Sequence, residues 1–134
     1  MYIKKYRSLL KVKLKNRRIK IMKILKLNEL EGHDVFEFMQ GEYNEEHWKI
    51  DSIFLTEEDF AYIYPFITEA LDDFNYYGPN KVTKEIWIKI KNNVHSSFSN
   101  SEDNKEELMK FLDDIDIWVK LSLLKYNCFS ICGI

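Results

Sequence analysis

Glycine, proline and cysteine are all scarce: four, two and two in 134 residues. Four glycines leave little material for a phosphate-cradling loop. No P-loop, no dinucleotide-binding turn and no GxSxG elbow occurs. Cys128 and Cys132 form neither a spaced framework nor a CxxC pair, which argues against a disulfide scaffold and for free thiols in a reducing compartment. No apolar run approaches the length of a membrane span. The stretch "IKIMKILKL" is broken by Lys20, Lys23 and Lys26, so it lacks the continuous apolar centre of a secretory signal.

Acid is also missing, but only locally. Residues 1–21 hold nine Lys and Arg and no Asp or Glu, whereas residues 22–134 hold eleven basic against twenty-two acidic residues, a net of −11. Heavy use of Lys, Asn, Ile and Tyr suggests an AT-rich gene. Arg17-Arg18 then reads back as a purine-rich ribosome-binding sequence three codons ahead of Met22. The expectation is that residues 1–21 are upstream sequence read through by mistranslation, with a single domain over 22–134. The alternative is a genuine flexible basic arm that contacts phosphates or an anionic membrane surface. Nucleic acid is a partner only on that alternative.

What is present describes a globular chain: 46% apolar, 31% charged, and twenty aromatic residues. Residues 22–30 read as a strand, 35–39 as a strand or helical turn, 41–46 as a polar turn, and 47–55 as a second strand with Trp48 and Ile50 on one face. Thr56 followed by three acids is a helix start. Phe60, Ile63, Tyr64, Ile67, Leu71 and Phe74 continue it at helical spacing, with a kink or restart at Pro65. "NYYGPN" reads as a helix-to-helix connection in which Gly78 can take positive φ. Thr83 caps a helix over 84–94, although Ile86, Ile88 and Ile90 also alternate like a strand, and residues 96–104 form a polar loop. A last helix runs from about Asp103 to Lys125, with Leu108, Phe111, Leu112, Ile115, Trp118 and Val119 on its core face and Asp113, Asp114 and Asp116 away from it. The tail "NCFSICGI" reads as a strand. These elements compose a small α+β domain, a few-stranded sheet packed against about three helices.

Acids recur in pairs. Solvated surface explains any one pair more simply than catalysis does, because neighbouring carboxylates on a helix have neither the fixed separation nor the raised pKa that acid–base chemistry needs. Taken together they make a face that steers a basic partner. His33, His47 and His95 show no ligand spacing, and the chance neighbours His33, Asp34 and Glu37 are loop polarity, so no metal and no cofactor is expected. Tyr76 and Tyr77 are adjacent, so either they point different ways, one packing and one reaching out beside Asp72 and Asp73, or both pack with their hydroxyls hydrogen-bonded. An exposed tyrosine of that kind is a partner anchor.

"FLTEEDFAYIYPFI", "FNYYGPNKVTKEIWIKI", "IDIWVK" and "FSICGI" resemble small bacterial immunity proteins of polymorphic toxin systems. The resemblance covers residues 22–134 and is carried most distinctively by Phe74, Tyr76, Tyr77, Gly78, Lys84 and Trp87. It implies a cytoplasmic, non-enzymatic inhibitor of a cognate toxin. The expected partner-binding residues are Asp72, Asp73, Tyr76, Tyr77, Asp113, Asp114 and Asp116. The alternatives are nucleic-acid or membrane contact through the basic segment, and an enzyme that uses scattered carboxylates.

Overall fold

The computed structural model describes residues 22–97 and 105–133. The basic segment 1–21, and with it the choice between mistranslation and arm, lies outside the described residues, as does most of the expected loop 96–104. Four strands, β1 (Val35–Gln40), β2 (Ile53–Thr56), β3 (Pro79–Thr83) and β4 (Cys128–Cys132), form one antiparallel sheet in the order β2-β1-β4-β3. Four helices complete the α+β domain: α1 (Glu57–Phe60), α2 (Tyr64–Ala70), α3 (Lys84–Ser97) and α4 (Lys105–Lys125).

Side-chain pattern sets the strand order. Every residue of β4 is buried, and this strand takes a central position with neighbours on both sides. β3 alternates exposed and buried and begins at Pro79, which has no amide to donate, and it lies at an edge. Register brings Phe36, Phe38, Ile53, Leu55, Val82, Phe129 and Ile131 to one face. There they join Phe60, Phe66, Trp87, Ile90, Phe111, Ile115 and Trp118 of the helices in a continuous core.

The helix starts follow their caps. Thr56 Oγ1 accepts the Asp59 amide at 3.1 Å and opens α1. Helical conformation then breaks and restarts with Pro65 in the first turn of α2, where a missing amide costs nothing. Phe74 lies beyond that helix yet still packs its ring on Phe60 and Tyr64. Thr83 Oγ1 accepts the Ile86 amide at the start of α3.

Three expectations need correction. Residues 22–30 supply no strand: Leu25 alone pairs with Phe54, by two 2.8 Å backbone bonds, before a 3-10 turn at Leu27–Glu29. The second strand does not begin at His47. Residues 47–52 form an irregular loop in which Trp48 has φ +59, and only Ile53–Thr56 pair. Third, "NYYGPN" joins a helix to the edge strand β3, and Gly78 is not in the left-handed region. The glycine with positive φ is Gly41 at +71, where an added Cβ would stand 3.0 Å from the Tyr126 ring.

Candidate functional site

The connection between α2 and β3 is built around one buried amide. Asn80 accepts the Asn75 amide at 2.6 Å and donates to the carbonyls of Asn75, Gly78 and Ile131 at 2.8 to 3.0 Å. Those four bonds tie the turn to itself and to the central strand. The C-terminal end closes on the same turn: Gly133 donates to the Gly78 carbonyl at 3.1 Å, and an added Cβ there would collide with the Tyr76 carbonyl.

The two tyrosines divide their work. Tyr76 sets its ring edge-on against Phe36 at 5.0 Å and Tyr64 at 5.5 Å, and its hydroxyl donates to Glu57 at 3.0 Å. Tyr77 turns the other way and is 77% exposed. Its amide donates to the Asn75 side chain, and its ring touches Tyr76. Asp72 and Asp73 are both exposed. A stiff ring on a hydrogen-bonded turn, with two solvated carboxylates in the same connection, is thus presented outward.

The acids of α4 do not form a single group. Asp113 is exposed and Asp114 half-buried. Asp116 is 8% exposed, contrary to the expectation that it lies away from the core face. Its carboxylate accepts the Trp87 indole N–H at 2.7 Å and contacts Lys91 and Lys120 at 3.2 and 3.1 Å. Burial works against its charge, but these three donors outweigh burial and hold the carboxyl below the usual carboxylate range. The periodicity of Leu112, Ile115 and Val119 leaves Asp116 on the flank that α3 covers, and Trp87 supplies the buried donor that draws it in. Asp116 therefore joins two helices and does not present a free charge to a partner.

Glu37 is the buried carboxylate that sequence reasoning treated only as loop polarity. It accepts the amides of Trp48 and Lys49 at 2.8 and 3.0 Å and the Ser52 hydroxyl at 2.7 Å, and His47 Nδ1 lies 3.7 Å away. These bonds hold the loop in a shape that places Trp48 at positive φ. The Trp48 ring stacks on Phe54 at 5.9 Å and meets His33 edge-on, yet remains 41% exposed, and Ile50 beside it is largely exposed. Apparent alternation in "HWKI" hid this second aromatic patch. Its signal was the acid inside the apolar run "VFEFM", which needs donors wherever it is buried.

Among the described residues, no group of three or more His, Cys, Asp or Glu is placed to hold a metal ion. Both cysteines are free and buried. Burial first, and then the Glu37 carboxylate, push the Cys132 thiol up to about 12. An open depression of about 460 Å³ lies between Lys81, Lys84, Glu85 and Leu123, and another of about 350 Å³ beside Lys23, Glu29, Glu31 and Asp34. Among the described residues, no helix is long and apolar enough to cross a membrane.

No family model matches this chain, and no curated protein or solved structure matches it either.

Proposed function

We propose that this domain is a non-enzymatic binding protein that neutralises a basic bacterial toxin in the cytoplasm, in the manner of the immunity proteins it resembles. The observation that carries the reading is Tyr77, a large amphipathic ring held out on a turn locked by Asn80. Such a ring loses little conformational entropy on contact, which suits an anchor at the centre of an interface. Asp72 and Asp73 add attraction for a basic surface and act mainly on the association rate. Asp113 and Asp114 contribute to the same long-range field, whereas Asp116 is already committed to Trp87 and two lysines.

The test is to sequence the neighbouring genes for a toxin-like reading frame and to co-express such a frame with this chain, scored as growth at limiting expression. Wild type protects. Tyr77→Ala raises the off-rate by the equivalent of about 2 kcal/mol and loses protection. Asp72→Lys with Asp73→Lys slows association, and the slowing disappears in high salt. Full protection by both variants would remove this surface from the interface.

A second contact surface is favoured by one observation, the exposed tryptophan at positive φ. Trp48 and Ile50 form a patch of the kind that carries binding energy, held in shape by Glu37. Trp48→Ala in the same growth assay separates the two surfaces.

A further inference from the structure

Helix α4 is apolar on two sides. Its core side is accounted for by Leu108, Phe111, Leu112, Ile115, Trp118 and Val119. On another side, Ile117, Leu121 and Leu124 stand 63%, 55% and 83% exposed. Their spacing of four and three residues puts them in one line along the helix. A solvent-facing helix side normally carries charge, so a continuous apolar stripe there marks a contact surface.

Charges at the ends of this stripe indicate what covers it. Asp113 lies one turn before Ile117, and Lys125 one turn after Leu121. Both are exposed, and no ion pair of the described residues engages either of them. About 18 Å of helix separates them. An acid at one end and a base at the other make the stripe complementary to itself when reversed. Antiparallel pairing about a twofold axis sets each acid against a base, whereas parallel pairing would set like charges together.

We propose that α4 is a self-association surface on which two copies of this chain pair antiparallel. Ile117 of each packs on Leu121 of the other, and Asp113 of each faces Lys125 of the other. Three apolar side chains fall short of the roughly 800 Å² per partner of a standard stable interface, so the dimer is weak and reversible. The inference does not depend on toxin binding, since it requires no second protein.

Sedimentation of the purified full chain over a wide concentration range tests it. Wild type passes from monomer to dimer as concentration rises, and salt weakens the dimer. Leu121→Glu leaves the chain monomeric with an unchanged melting temperature, because residue 121 is exposed. Asp113→Lys weakens the dimer about tenfold by opposing like charges. Asp113→Lys combined with Lys125→Asp restores most of the affinity, because the swap re-forms both pairs. A wild-type chain that stays monomeric throughout overturns the proposal. So does a charge swap that associates no better than Asp113→Lys alone. A monomeric wild type whose Leu121→Glu variant loses protection against the toxin would assign the stripe to that partner instead.

Discussion

The α3–α4 seam and the connection from Asp72 to Asn80 both set acids among aromatic rings, and they use them in opposite ways. At the seam, Asp116 is drawn inside because three donors meet it there: the Trp87 indole, Lys91 and Lys120. In the connection, the buried polar group is the neutral amide of Asn80, and Asp72 and Asp73 stay in water. Tyr76 packs inward while Tyr77 faces out. A carboxylate already paired within its own chain has little left to offer another molecule, whereas a solvated carboxylate in the same connection as an exposed stiff ring remains available. The contrast separates acids that hold this domain together from acids that can attract a partner.

The strongest way to break the comparison is to damage the core beside the seam. Trp118 packs on Phe38 and Phe129 and donates its indole N–H to the Asp51 carbonyl at 2.9 Å. Trp118→Ala should cost about 3–5 kcal/mol in denaturant unfolding. A shift below about 1 kcal/mol would mean that α4 does not pack as described.

Next in size is the seam itself. Asp116→Ala leaves a buried indole donor without its acceptor and should cost about 1–3 kcal/mol. The charge has a pH signature. Because the folded protein holds Asp116 below the usual carboxylate range, its ionised form contributes stability that is fully present above the unfolded carboxyl pKa of about 4. That contribution is lost as pH falls through the lowered folded value. The stability gap between wild type and Asp116→Asn should be constant near neutrality and shrink in acid. A gap that does not change with pH would mean that the charge contributes nothing.

The two tyrosines sharpen the other half of the contrast. Tyr76→Ala should destabilise the fold by about 2 kcal/mol, less than a fully buried ring. Tyr77→Ala should leave unfolding within about 0.5 kcal/mol of wild type. Equal losses from both would show that Tyr77 is also structural. The smallest effect is expected for Asp72→Lys with Asp73→Lys: unfolding should stay within about 0.5 kcal/mol, since two solvated acids at a turn leave no buried group unpaired.

Legibility differed from element to element for physical reasons. Thr56, Thr83 and Pro65 marked their helix starts because caps and proline act over three or four residues. The stripe from Leu108 to Val119 was readable because helical period and burial coincide there. The first part of the strand expected over 47–55 failed, while Ile53–Leu55 did pair, because alternation in "HWKI" is too short to outweigh a buried carboxylate fifteen or fewer residues away that takes two backbone amides. The exposed stripe of Ile117, Leu121 and Leu124 escaped notice because one helix carried two apolar faces, and sequence period alone does not rank them.

Local chemistry by itself determined the α+β class, the helix starts at Thr56, Pro65 and Thr83, the buried C-terminal strand and the core face of α4, whereas the start expected near Asp103 lies outside the described residues. Tertiary structure alone decided that Asp116 lies inside while Asp113 stays out, that Tyr76 packs while Tyr77 protrudes, and that Glu37 shapes the Trp48 loop. Those choices depend on donors and rings brought together from distant parts of the chain. Trp87 is twenty-nine residues from Asp116, and Phe36 is forty from Tyr76. A local pattern states what a side chain prefers, and only the assembled fold determines which preferences are met inside and which are left for solvent or a partner.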